Sequence, residues 1–212
     1  MPHRWICFDV GETLIDETRV WSTWADILAI PRFTFMATFG AVIAQAKDHR
    51  DVFGVFGVDD FRTLEPQFQE RYGGFRSEDL YPDVVPALAK LRDAGYRIAI
   101  IGNQPARRTA ELRAIGVQAD VMAMSDEMGF HKPDPEFFVN ALRLMGDPDP
   151  DDVAYVGDRL DNDVHPSSAA GMRAVWLMRG PWALVTRDSP AVGTRTFMSL
   201  TELAATVEGI WK

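Results

Sequence analysis

Hydrophobic positions along the chain fall into two textures. Short runs rich in β-branched and aromatic residues, bounded by glycine or acidic residues, read as buried strands: RWICFDV stopped by Gly11, then YRIAIIG, VMAMS, VAYVGD and MRAVWLM. Between them apolar residues recur at intervals of three and four, the spacing of one helix face. VVPALAKLRDAG reads as a helix closed by Gly95, PARRTAELRAIG as one opened by Pro105, and PEFFVNALRLMG as one ended by Gly146. DVHPSSAAG adds another helix, and TFMSLTELAATVEGI a last strand and helix. Alternation of this kind predicts a parallel sheet covered on both faces by helices.

One block departs from the alternation. From Thr18 to about Tyr72 the spacing is helical: Val20, Trp21, Trp24, Ile27 and Leu28, then Phe35, Met36, Phe39, Val42 and Ile43 beyond Pro31. Pro31 separates two helices, FGVFGVDD reads as a break, FRTLEPQFQERY as a further helix and GGFRSEDLYP as a linker. Trp21, Trp24, Phe33, Phe35 and Phe39 are expected chiefly to pack within this block and against the sheet, with a remainder free to line a pocket. The chain therefore divides into an α/β core, residues 1–15 and 80–212, and a helical insertion, residues 16–79.

Composition narrows the classes. With 212 residues, 47% hydrophobic and 25% charged, the chain can bury a sizeable core and has no signature of disorder. A formal net charge of −9, with no basic run, argues against a nucleic-acid partner. No stretch of about 20 apolar residues suits a membrane span. Cys7 is the single cysteine, so no internal disulfide forms; an inert core thiol and a reducing cytoplasm are expected.

Ligands of open parallel sheets bind at the carboxyl ends of the strands. Four features fall at that edge: Asp9 after the first strand, Gly102-Asn103 at the end of the second, Lys132 in the loop after the third, and Asp158 after the fourth. Two carboxylates brought together repel unless a cation intervenes, and an oxygen-only donor set suits magnesium. A lysine opposite them can neutralise a nucleophile and hold a phosphate as a point charge. The set points to phosphoryl transfer through an aspartyl intermediate.

FDVGETL, IIGNQ, HKPDPEFF and VGDRLDNDV, in this order, resemble the four motifs of the haloacid dehalogenase superfamily. The resemblance spans most of the chain, with the insertion where members with a helical cap carry theirs. It implies a Rossmann-like parallel-sheet core with helices on both faces and an inserted all-helical cap domain. It also implies Asp9 as nucleophile, and Mg2+ held by Asp9, the Gly11 carbonyl and Asp158. Asp163 would fix the surroundings of the ion and of Lys132, with Gly102, Asn103 and Lys132 at the phosphate. The implied activity is magnesium-dependent hydrolysis of a small phosphorylated metabolite, by a monomer or homodimer. Two positions depart from the phosphatase pattern: Gly11 stands where a second Asp serves as acid and base, and Gly102 where Ser or Thr holds the phosphate.

These departures keep other readings open. Glu12 is the nearest replacement carboxylate, yet adjacent extended residues point to opposite sides, so it is expected to face solvent or make a local hydrogen bond. Asn103 can present an amide, and the helix after it free N–H groups, while Arg107 and Arg108 read as solvated. Dehalogenases of the superfamily also lack the second Asp, which admits halide displacement. Phosphonate-cleaving relatives use a cap lysine, and Lys47 is the one lysine of the insertion. A catalytically impaired member that binds a phosphorylated metabolite or a protein is the remaining class. His131 reads as loop-shaping, His49 and His165 lack metal-ligand partners, and His3 is terminal; Arg19, Arg32 and Arg50 are the insertion's candidates for holding a phosphate.

Overall fold

The strand-forming runs assemble into one sheet because the central ones are apolar on both sides and have to be covered twice, whereas the last, RTF at the sheet edge, buries only Phe197. The computed structural model describes residues 4–212, which leaves His3 outside the described residues. Strands β1 (Trp5–Phe8), β2 (Arg97–Gly102), β3 (Val121–Met124), β4 (Val153–Gly157), β5 (Arg173–Leu177) and β6 (Arg195–Phe197) lie in the order β3-β2-β1-β4-β5-β6. All neighbours pair parallel. This is the doubly wound Rossmann-like order, in which the direction of winding reverses beside β1.

Alternate residues of each strand feed opposite layers, as a period of two requires. Ile6, Phe8, Ile98, Ile100, Ala154 and Val156 join the larger core, with α5 (Val84–Asp93) and α11 (Leu200–Thr206) packed on it. Trp5, Cys7, Ala99, Ile101, Val153 and Tyr155 face α8 (Pro135–Leu144) through Phe137, Phe138 and Ala141. Cys7 is fully buried there, and burial pushes its thiol far above the ordinary range, which leaves it unreactive.

The helical block contains α1 (Thr18–Ile27), α2 (Arg32–Ile43), α3 (Asp51–Val55) and α4 (Glu65–Tyr72). Pro31 stands between α1 and α2, which meet at 114°. Trp24, Phe35 and Phe39 are interior, Trp21 reaches the cleft, and Phe33 is 87% exposed. The expected break at FGVFGVDD is instead partly helical: Val52 and Phe53 are buried in α3, and that packing outweighs the poor propensity of Gly54. The chain enters and leaves the block side by side, with Ile15 in an isolated antiparallel bridge to Leu80.

The remaining helices are α6 (Arg108–Ala114), α7 (Ser125–Met128), α9 (His165–Ala169) and α10 (Gly180–Val185). Helix α6 starts at Arg108 rather than at Pro105, because the residue before a proline avoids the helical region and the chain turns first, Arg108 N–H donating to the Pro105 carbonyl at 3.0 Å. Among the described residues no single helix is long and apolar enough to cross a membrane.

Candidate active site

Strand ends place the acidic groups. Asp9 follows β1 and keeps its backbone in the sheet, donating to the Val156 carbonyl at 2.9 Å, and Asp158 follows Gly157 of β4. Lys132 reaches in from the loop before α8, and Asp163 from an irregular turn at Leu160–Val164. Lys132 Nζ donates to Asp9 Oδ1 at 2.6 Å and to Asp163 Oδ1 at 2.5 Å. Asp163 Oδ2 accepts from the Arg159 backbone N–H at 3.0 Å. All four side chains are buried, Asp163 completely.

Burial of three carboxylates against one lysine governs the electrostatics. Burial by itself would lower the Lys132 pKa, yet the charges of Asp163 and Asp9 more than reverse this and hold the ammonium form. Burial, and then the charges of Asp163 and Asp9, push Asp158 well above the carboxylate range. Burial also raises Asp163, with Lys132 opposing it. Asp158 Oδ2 is buried without a hydrogen-bond partner, and one carboxylate oxygen each of Asp9, Asp158 and Asp163 lies within 4.8 Å of the others. An unpartnered buried oxygen in an oxygen-only, negatively charged cluster fits a hard divalent cation such as magnesium.

Asn103 has a different environment from the one expected. Its side chain clasps the backbone of Lys132, accepting from the Lys132 N–H at 2.7 Å and donating to the Lys132 carbonyl at 2.9 Å, so the amide positions the lysine loop. At Gly102 an added Cβ would stand 2.5 Å from Asp9 Oδ1, so the nucleophile candidate rests in the space a side chain would need. The helix expected to open after Asn103 begins only at Arg108, and its first N–H groups, at Arg108, Thr109 and Ala110, already donate to the carbonyls of Pro105, Ala106 and Arg107. Arg108 is not solvated: it pairs with Glu111 and stacks on Phe75, its guanidinium 4.3 Å from the ring centroid. Arg107 is exposed and lies 3.7 Å from Glu111.

A cleft of about 460 Å³ opens over this cluster, lined on the core side by Asp9, Asn103, Lys132 and Asp158, and on the helical side by Trp21, Lys47, His49 and Arg50. Lys47 is exposed on its rim, and no ion pair to it occurs among the described residues. Arg50 pairs with Asp48 at 2.7 Å, and Arg159 with Asp161 at 2.6 Å. Burial and the nearby Arg159 and Arg50, opposed by Asp48, push His49 down to about 4, so it is neutral at physiological pH. Arg19 and Arg32 line a separate surface groove, and His131 and His165 are exposed away from the cleft.

Two acidic residues flank the turn into α1. Of the two environments expected for Glu12, the local hydrogen bond is found and solvent exposure is not: it is 5% exposed, has φ +52°, and accepts from the Glu17 N–H at 2.9 Å and, from farther along the chain, the Tyr81 hydroxyl at 2.6 Å. Glu17, at the entrance to α1, was not singled out by any motif, yet it lines the cleft beside Gly11, its Oε2 accepting from Trp21 Nε1 at 3.3 Å. Gln104 and Trp182 also line the cleft without a sequence signal. A carboxylate at the first turn of the insertion, where the chain leaves the strand end, is the one signal by which Glu17 stood to be found.

Fold and site together define a hydrolase with an aspartate-lysine-aspartate centre at a parallel sheet edge. The sequence model of the haloacid dehalogenase-like hydrolases matches residues 3–171, and the chain belongs to that family. It is 35% identical over 105 residues to the glyceraldehyde 3-phosphate phosphatase of Methanopyrus kandleri, a match covering 48% of this chain and 45% of that protein. The chain thus spans about half the length of the curated relatives it matches. Among solved structures, the HAD phosphatase of Thermococcus onnurineus superposes with TM-score 0.62 at 25% identity, covering 97% of this chain and 98% of that one. The L-2-haloacid dehalogenase RSc1362 superposes with TM-score 0.72 at 16% identity, covering 98% and 100%. The fold is therefore common to phosphatases and dehalogenases, and only the site can separate them.

Proposed function

We propose that the protein is a magnesium-dependent phosphatase acting on a small phosphorylated metabolite through an aspartyl-phosphate intermediate, with residues 16–79 as a cap over a core of residues 1–15 and 80–212. The observation that carries this is the buried Asp158 carboxylate, which has an oxygen without a protein partner and crowds two other carboxylates. Displacing a halide gives no use for such a group, whereas a divalent cation does. The phosphatase names of the relatives support the same reading.

Asp9, Asp158 and the Gly11 carbonyl would hold the magnesium, which when bound offsets negative charge on the phosphoryl oxygens. The Asp9 carboxylate attacks phosphorus. Lys132, 2.6 Å from Asp9 Oδ1, orients that carboxylate and stabilises charge building on the transferred group. Asp163 holds the lysine in place, itself fixed by the Arg159 N–H. Lys47 and Arg50 at the rim supply positive charge for an anionic substrate, and a cleft of about 460 Å³ suits a metabolite rather than a polymer.

Beryllium fluoride with magnesium mimics an aspartyl phosphate and tests this reading. The wild type is expected to gain thermal stability with both present, and Asp9→Asn and Asp158→Asn are expected to lose that gain along with turnover of phosphomonoesters. Activity on 2-haloacids without magnesium, unaffected by Asp158→Asn, would establish the dehalogenase reading instead.

A further inference from the structure

The position of Glu17 suggests how the centre works without an acid at residue 11. Gly11 is absent from the left-handed backbone conformations, so its φ does not call for glycine. What it provides is room: a Cβ there would lie 2.5 Å from Glu17 Oε1 and 3.0 Å from its Cδ. The Glu17 carboxyl thus occupies the place that a side chain at residue 11 would take, on the cleft that Asp9 also lines. It is held there from two sides, by Trp21 Nε1 on its Oε2 and by Glu12, whose carboxylate accepts the Glu17 backbone N–H at 2.9 Å. Glu12 is also the residue that adopts the left-handed conformation in this loop, at φ +52°. Residues 11, 12 and 17 therefore form one device: residue 11 vacates a volume, residue 12 anchors the entrance to α1, and Glu17 fills the volume with a carboxyl group.

We propose that Glu17 is the proton-transfer residue of this enzyme, supplied from the cap entrance in place of the missing side chain at Gly11. The inference rests on the phosphatase reading above. In the first step the Asp9 oxygen forms a bond to phosphorus, the bond from phosphorus to the ester oxygen breaks, and Glu17 gives its proton to the departing oxygen. In the second step Glu17 takes a proton from water, whose oxygen bonds to phosphorus as the bond from phosphorus to Asp9 breaks. Inorganic phosphate leaves, and both carboxyl groups return to their starting states.

The test compares an alkyl phosphate with 4-nitrophenyl phosphate, whose leaving group needs no proton, across the wild type, Glu17→Gln, Glu17→Ala, Gly11→Asp/Glu17→Ala and Asp9→Asn. Glu17→Gln should lose about 10²- to 10⁴-fold in kcat on the alkyl phosphate. On 4-nitrophenyl phosphate it should release a burst of nitrophenol equal to the enzyme concentration and then turn over slowly, because only the water step still needs a base. Gly11→Asp/Glu17→Ala should regain at least tenfold over Glu17→Ala. Retention of the thermal shift with magnesium and beryllium fluoride in Glu17→Gln shows that the fold and the nucleophile are intact. If Glu17→Gln keeps the wild-type rate on the alkyl phosphate, or loses both substrates equally with no burst, the assignment of Glu17 fails while an inactive Asp9→Asn leaves the phosphatase reading standing. A wild type with no magnesium-dependent turnover and no beryllium fluoride shift overturns both.

Discussion

At residue 12 two effects oppose each other. A left-handed conformation costs a residue with a Cβ about 1–2 kcal/mol, and glycine would remove that cost. Against it stand two hydrogen bonds to the buried Glu12 carboxylate, from the Tyr81 hydroxyl and the Glu17 N–H, each worth about 1.5–3 kcal/mol when the acceptor is charged. The bonds win, so Glu12→Gly should lower stability by about 1–5 kcal/mol in urea unfolding and reduce kcat by loosening Glu17. A more stable Glu12→Gly would mean that the strain dominates and that Glu12 anchors nothing. Residues of this kind also mark where sequence reading stops. Asp9, Lys132 and Asp158 were legible because each follows a strand in chain order, at the edge where ligands of such a sheet gather, whereas Asp163 was reached only through the family resemblance. Glu12 was read from the alternation of an extended chain, but the loop turns at φ +52° and rotates its side chain inward. Glu17 was illegible because its place depends on how the first helix of the insertion folds back over the strand.

Between elements, the decisive link is the Asn103 clasp that ties the end of β2 to the lysine loop. The notion of Asn103 as a phosphate contact and its role as a clasp make different forecasts. Loss of a clasp leaves the backbone N–H and carbonyl of buried Lys132 without their partner, which costs about 1–3 kcal/mol, and lets the ammonium drift from Asp9. Asn103→Ala should therefore lower the urea midpoint by that amount and reduce kcat, with KM changed little. An unchanged midpoint with a raised KM would return Asn103 to the substrate. The elements themselves were largely legible, because apolar strand runs separated by helical spacing leave few arrangements but a covered parallel sheet. What was missed is short or governed by tertiary packing: α10 has six residues and opens with Gly-Pro, α3 runs through a glycine, and α6 starts three residues late.

For the whole molecule, what matters is how firmly the helical block is fixed where the chain enters and leaves it, since Glu17 lies on that crossing. Arg19 joins several of its parts. Its guanidinium donates to both oxygens of Asp79 and to the carbonyls of Tyr72 and Gly74, and it stacks on the Tyr72 ring with its centre 3.9 Å from the centroid. One side chain thus joins the start of α1 to the end of α4 and to the returning strand of chain. Asp79 is 4% exposed, so Arg19→Ala leaves a buried carboxylate with only the Arg76 N–H among its former donors. Breaking a buried pair costs about 3–5 kcal/mol; because the Arg19 side chain keeps 22% exposure, a discounted loss of about 2–4 kcal/mol is expected. Arg32→Ala is the matched control. Its pair with Asp26 has the same bidentate form but lies on the exposed surface, and its removal should leave the urea midpoint where it was. Kinetics separate anchoring from mere stability. If Arg19 fixes the crossing, Arg19→Ala measured well below its unfolding midpoint loses kcat on an alkyl phosphate more than on 4-nitrophenyl phosphate, because displacing Glu17 harms the substrate that needs a proton. An equal loss on both substrates would make Arg19 a stabilising residue with no hold on the carboxyl group, and would separate the geometry of the crossing from the chemistry at Asp9.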